Sequence, residues 1–260
     1  MQLIDIGANL AHESFDADLP AVLERARAAN VATIVVTGSS AHSSAAAARL
    51  AVEHAGYLYA TAGLHPHHAS DWSQQMAQQF RALATQPGVK AIGECGLDYF
   101  RDLSPRDAQR RAFTEQLDLA VELQLPVFLH QRDAHADFLA ILRDYRAQLV
   151  DVVVHCFTDT EAALQDYLQL DCHIGITGWI CDERRGRHLL DAVKRIADER
   201  LLIETDAPYL LPRTAPKVAH RRNEPSYLLY VLRTIAAARG VSEEHLAQLT
   251  TDNARRFFRL

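Results

Sequence analysis

The sequence predicts an α/β protein folded as a single (β/α)8 TIM barrel, and three observations carry that prediction. Short apolar runs rich in β-branched residues alternate with longer helical patterns along the whole chain. The alternation repeats eight times with no linker or break in composition. The 260 residues match the ~250 that such a barrel commonly uses as one unit, so residues 1–260 are read as one domain.

Strand-like runs lie near 3–8, 32–37, 58–62, 89–93, 126–129, 151–154, 172–176 and 201–204. Helical patterns lie near 18–29, 42–54, 72–85, 105–124, 133–147, 160–169, 184–197 and 224–239. The runs are continuously apolar rather than alternating, as expected of parallel strands covered on both faces by right-handed βα crossovers. Pro105, Pro126 and Pro225 each stand where an element begins, which suits a residue with fixed φ and no N–H donor. The last segment, Val241 to Leu260, opens with Ser242 three residues before His245 and carries Leu246, Leu249, Ala254, Phe257 and Phe258. It predicts a ninth, C-terminal capping helix. An open doubly wound sheet is the alternative, but it needs a glycine-rich phosphate turn after the first strand, and Asp5-Ile-Gly7-Ala-Asn9 lacks that spacing.

Apolar residues make up 48% and charged residues 23%, the balance of an ordinary globular protein. The N-terminal Met-Gln-Leu-Ile-Asp-Ile-Gly has neither a basic leader nor a long apolar stretch, and no segment approaches the ~18 apolar residues of a membrane span. A cytoplasmic location without membrane contact is the expectation. The four cysteines form no Cys-x-x-Cys pair, so reduced thiols are expected rather than a disulfide framework or zinc ribbon. The net charge of −6 repels polyanions, so any nucleic-acid contact must use a local basic patch.

Glu94, His130, His155 and Asp206 each close one of the apolar runs. In a parallel barrel all strand C-termini share one rim, so these residues converge although they are far apart in sequence. Glu204 and Asp206, two apart on the last strand, are expected to share a face, and two carboxylates there call for a cation, a shared proton or a basic partner. With two imidazoles added, a divalent metal is the simplest neutraliser, whereas an internal ion-pair network is the structural alternative. Nitrogen and carboxylate ligands without clustered thiolates suit Mg²⁺, Mn²⁺ or Zn²⁺ at an open catalytic site. There the metal acidifies a water whose proton Asp206 can take. His65, in Gly63-Leu-His65-Pro66-His67, can donate to a phosphate oxygen, and His67 sits near the rim. A metal-activated water attacks phosphorus or a carbonyl carbon. The residues alone therefore leave open phosphodiester hydrolysis, hydrolysis of an amide or ester including an aminoacyl-tRNA, and a non-catalytic metal-binding scaffold.

For a nucleic-acid substrate, Lys217, His220, Arg221 and Arg222 form a basic segment after the last strand, and Arg184, Arg185 and Arg187 form another after the seventh. A solvated cluster balanced by Asp182, Glu183 and Glu224 is the competing reading. Trp179 and Tyr209 lie just past strand ends, where they can stack on an unpaired base. The candidate substrate contacts are thus His67, Trp179, Tyr209, Arg132, Lys217 and Arg222.

Asp5-Ile-Gly-Ala-Asn9-Leu, Gly63-Leu-His65-Pro-His67, Ala91-Ile-Gly-Glu94-Cys-Gly-Leu-Asp98, His130-Gln-Arg132-Asp133-Ala, His155-Cys-Phe-Thr158, Gly175-Ile-Thr-Gly-Trp179 and Ile203-Glu204-Thr-Asp206-Ala-Pro-Tyr occur in this order. Together they resemble the TatD family of metal-dependent deoxyribonucleases over nearly the whole chain. The resemblance implies an amidohydrolase-like barrel that hydrolyses DNA with a divalent cation. It makes Glu94, His130, His155 and Asp206 metal ligands, assigns Asp206 to the attacking water, and puts His65 and Glu204 in the surrounding site. Many members carry a His-x-His pair at the end of the first strand where this chain has Gly7 and Asn9. That departure implies one firm metal site with a weaker second position near Glu204 and Asn9. It also implies the branch that acts as a 3′-to-5′ exonuclease on single strands with Mg²⁺. The expected partner is therefore a single-stranded nucleic-acid end, bound by a monomer.

Overall fold

The computed structural model describes residues 1–216 and 221–260. Eight parallel strands, β1 (Leu3–Ala8), β2 (Val31–Val36), β3 (Leu58–Ala62), β4 (Val89–Asp98), β5 (Val127–Arg132), β6 (Val152–Val154), β7 (His173–Ile176) and β8 (Leu201–Ile203), are hydrogen-bonded in sequence order. The ring closes between its first and last members. Ala8 bridges to Ala207 in parallel, the Asp206 N–H donates to the Gly7 carbonyl at 2.8 Å, and the Asn9 N–H donates to the Ala207 carbonyl at 2.6 Å. The buried Asp5 carboxylate adds to this seam by accepting from the Thr205 N–H at 2.9 Å and from the Thr205 hydroxyl at 2.5 Å.

Helices α1 (Leu19–Ala28), α2 (Ala41–Glu53), α3 (Gln74–Ala84), α4 (Arg106–Leu123), α5 (His135–Tyr145), α6 (Glu161–Gln169), α7 (Leu189–Ala192), α8 (Leu228–Arg239) and α9 (Glu243–Phe258) complete the alternation. Several start on the side-chain caps their sequences offer: Ser40 and Ser43 form a reciprocal box on α2, and the Ser242 hydroxyl accepts from the His245 N–H at 3.1 Å on α9. One large apolar layer fills the space between sheet and helices. A second cluster, Ile4, Ile6, Val35, Ala91, Phe128, Val153 and Leu202, fills the barrel interior and is plugged from below by Ala254, Phe257 and Phe258 of α9. Thr251 and Asn253 of α9 hydrogen-bond to the carbonyls of Gln2 and Leu201, where β1 and β8 begin, so this helix seals the N-terminal end. Among the described residues, no helix is long and apolar enough to cross a membrane.

Three expectations change. The helix expected near 184–197 shrinks to the four residues of α7, because the Asp182 carboxylate accepts from the Arg184 and Arg185 N–H groups and holds that stretch in a turn. β4 and β5 run on past Glu94 and His130, so these two lie within strands rather than closing them. The β4–β5 register slips between Ile92 and Cys95, at Gly93, whose φ of +129° and close approach to the Phe128 carbonyl exclude a side chain. Such an irregularity re-aims the next side chain, here Glu94. Lastly, β8 ends at Ile203, and Asp206 has a φ of +54°. Glu204 and Asp206 therefore meet the site through a turn, not through strand alternation.

Candidate active site and metal centre

At the C-terminal mouth, the side chain of Glu94 is a hub. Its Oε1 faces His155 Nε2 at 2.9 Å, His130 Nδ1 at 3.2 Å and His65 Nε2 at 3.5 Å. The ligand atoms of His65, Glu94 and His130 all lie within 4.8 Å of one another. His155 joins this set through Glu94, and its Nδ1 faces Glu204 Oε2 at 3.4 Å. Asp206 stands on the β1 side, where its Oδ1 accepts from Asn9 Nδ2 at 3.1 Å. The same amide group donates to the Ala207 carbonyl at 3.2 Å. Asn9 is thus joined to the site as a donor to Asp206.

Two more residues complete the ring of contacts. Asp98, four positions beyond Glu94 on β4, accepts from His67 Nε2 at 2.8 Å and faces His130 Nε2 at 3.3 Å. His130 therefore presents one nitrogen to Glu94 and the other to a buried carboxylate, the arrangement that fixes the orientation of a metal-binding imidazole. Glu204, fully buried, accepts from the Cys156 N–H at 2.6 Å. A Cβ at position 7 would lie 2.5 Å from Glu204 Oε2, so the glycine makes room for this carboxylate.

Burial and mutual charge set the protonation states. Burial disfavours a charged His155, yet Glu204 and Glu94 outweigh it and hold the imidazole well above its ordinary pKa. Burial likewise works against Glu94 ionising, but the surrounding imidazoles hold it well below the usual carboxylate range. His65 goes the other way: burial, reinforced by its histidine neighbours, keeps it neutral. Asp206 is pushed up to about 7, by burial first and then by Glu94 and Glu204, against the pull of His155 and Asn9.

The donor set fits a divalent cation. Glu94, Asp98, Glu204 and Asp206 crowd a buried mouth, and buried charge of one sign needs compensation. His155 Nδ1 and Glu204 Oε2 are buried and have no hydrogen-bond partner among the described residues. They face each other at 3.4 Å as a loose ion pair, so neither is tied up in a full hydrogen bond.

The expected substrate contacts separate into groups. His67 reaches the rim on Asp98, and Trp179 and Tyr209 lie at the mouth, Tyr209 52% exposed. The Arg132 guanidinium lies over the Phe100 ring at 4.0 Å. Arg222 is instead engaged by Asp18, with Arg222 Nη1 and Nη2 at 2.8 and 2.7 Å from its oxygens, so the charge read as a phosphate contact is part of an ion-pair network with Arg25 and Glu224. Lys217 and His220 lie outside the described residues. Asp98 and Asp5 escaped sequence reading. Asp98 follows Glu94 by an even number of residues on the same strand, a signal visible once β4 is allowed to run through Gly96.

The sequence profile of the family described as TatD related DNase matches residues 4–259. This chain belongs to that family. A protein of Rahnella sp. (strain Y9602) named 3′-5′ ssDNA/RNA exonuclease TatD is 50% identical over 99% of this chain and 98% of its own length. The protein of the same name from Pantoea vagans (strain C9-1) is 49% identical over 99% of this chain and 100% of its own. Among solved structures, YJJV, a TatD homologue from Escherichia coli k12, superposes with a TM-score of 0.91 at 29% identity, covering 99% of this chain and 98% of the other. The TatD-family barrel is thus matched from β1 through α9.

Proposed function

We propose that this protein hydrolyses phosphodiester bonds stepwise from the 3′ end of single-stranded DNA or RNA. The observation that carries the reading is the convergence of three imidazoles on Glu94 beside the part-buried carboxyl of Asp206. The names of its TatD-family relatives supply the substrate class. Glu94, His130 and His155, with Asp206 at the edge, would hold a divalent cation, with Mg²⁺ favoured over Mn²⁺ or Zn²⁺. When bound, that ion supplies Lewis-acid stabilisation of charge on the phosphoryl oxygens and lowers the pKa of water.

The rest is done by the chain's own groups. Asp206 accepts the proton of the attacking water, and Asn9 holds the carboxylate in place. Neutral His65 donates an N–H to the phosphoryl or leaving oxygen. Asp98 fixes the rings of His130 and His67. Glu204 anchors His155 from below. The protein is read as a cytoplasmic monomer.

The test uses purified protein with Mg²⁺ and single-stranded oligonucleotides labelled at either end. Mononucleotides released progressively from the 3′ end are the expected result. A folded protein that leaves 3′ ends intact while the metal is bound refutes the proposal.

A further inference from the structure

Beside the metal centre lies a pocket that the chemistry above does not use. It encloses about 310 Å³ between the turn after β4, the end of β5 and the segments following β6 and β7. That volume lies at the small end of ligand sites, enough for one nucleoside and too little for a duplex. Its walls carry two aromatic rings, each attended by an arginine. Arg132 lies over Phe100 at 4.0 Å and Arg185 over Trp179 at 5.9 Å. Phe100 is 54% exposed, so part of its ring is open to a ligand.

The remaining polar groups of the pocket are mostly occupied. Gln131 donates to Asp159 at 2.8 Å and to the Tyr167 hydroxyl at 2.8 Å, and Asp159 also accepts from the Thr160 N–H at 2.6 Å. His188 donates to the Thr158 carbonyl at 3.0 Å. Neither Arg132 nor Arg185 pairs with a carboxylate among the described residues, in contrast with Arg213, held at 3.3 Å by Asp182. The pocket therefore offers flat apolar faces and two guanidinium groups, beside the carboxylates of Asp133 and Asp159. Aromatic faces bind bases and guanidinium groups bind phosphates.

The opposite flank of the mouth is different. The cavity beyond Asn9 carries Glu13 and Asp16 together with His12, His42 and Arg49, and its lining offers no pair of aromatic faces attended by guanidinium groups. Arg132 stands two residues past His130 on β5, and hence on the same face, so the pocket begins where the metal ligands end.

We propose that this pocket is the subsite for the nucleotide immediately inward of the 3′-terminal one, its base stacked between Phe100 and Trp179 and its phosphates met by Arg132 and Arg185. The retained strand thus leaves over β5–β7. This assignment rests on the exonuclease reading and adds the strand's direction to it.

The test places 2-aminopurine at successive positions from the 3′ end of a single-stranded oligonucleotide and binds it to the Asp206→Asn protein, so that nothing is cleaved. Fluorescence quenched at the penultimate position, and relieved in Phe100→Ala, is the expected result. Arg185→Ala, at an exposed site, should weaken oligonucleotide binding roughly tenfold and flatten the slope of log affinity against log salt by about 0.7. Quenching that survives Phe100→Ala, or that falls on the terminal base, overturns the assignment while leaving exonuclease activity of the unmutated protein intact. Failure of that unmutated protein to trim single strands instead defeats the underlying reading, and the two failures are told apart by the same preparations.

Discussion

The floor and the mouth of the barrel are built from the same strands by opposite rules. At the floor, Ile4, Leu202, Phe257 and Phe258 form one apolar cluster, and the polar groups of α9, Thr251 and Asn253, find carbonyl partners. At the mouth, a few residues further along, carboxylates and imidazoles crowd together, and the facing atoms His155 Nδ1 and Glu204 Oε2 make no hydrogen bond among the described residues. The floor lowers the free energy of the fold. The mouth raises it, and the stability of the floor is what allows the mouth to persist. Mutations should therefore separate cleanly: those at the floor change stability at constant chemistry, and those at the mouth change chemistry at nearly constant stability.

The largest effect is expected at the hub. Glu94→Gln or Asp206→Asn should lower kcat by roughly 10²–10³ or more, with melting temperatures, read by circular dichroism, at or above that of the parent. Unfolding of both variants would show that the mouth is a structural ion-pair network. Next, Phe257→Ala should cost about 3–5 kcal/mol in denaturant unfolding, while the activity per folded molecule stays constant. Asp98→Asn should weaken metal affinity by roughly 10- to 100-fold, as measured by titration calorimetry, with turnover recovered at higher metal concentration. If turnover is lost at every metal concentration, Asp98 acts on substrate directly.

The smallest effect concerns Asp18, outside both regions. The hydrogen bond it accepts from Arg222, opposed by burial and helped by a further one from Arg25, lowers its pKa to about 2. A depressed carboxylate stabilises the fold above its unfolded pKa near 4 and loses that contribution as pH falls through about 2. Because the pair is partly exposed and screened, the contribution is below about 1 kcal/mol. Asp18→Asn should therefore narrow the stability difference between pH 5 and pH 2 slightly, with no change in kcat, and a large change would mean that Arg222 is not paired as described.

Much of this division was legible in the sequence. Eight apolar runs set the barrel because buried parallel strands leave a continuous signal, and Ser242 with Phe257 and Phe258 marked the sealing helix. Glu94, His130 and His155 stood out because charged residues after such runs need a reason to be there. What escaped notice depended on contacts between distant parts of the chain. Asp18 neutralises Arg222 across the fold, and a charge cluster in sequence carries no trace of that partner. Asp182 converts a helical pattern into a turn through its own side chain. Asp98 lay beyond a glycine that reads as the end of a strand but is a bulge within it.

The seam between β1 and β8 bears on the order of events during synthesis. Asp5 and Thr205, joined there, stand 200 residues apart in the translated order. A chain still attached at β7 has the imidazoles and Glu94 but neither Glu204 nor Asp206, and its barrel is an open sheet with two unpaired edges. Non-local closure of this kind is slow and comes late. The hydrolytic centre is therefore assembled by the last strand to emerge, and the growing polypeptide carries no competent nuclease beside the messenger that encodes it.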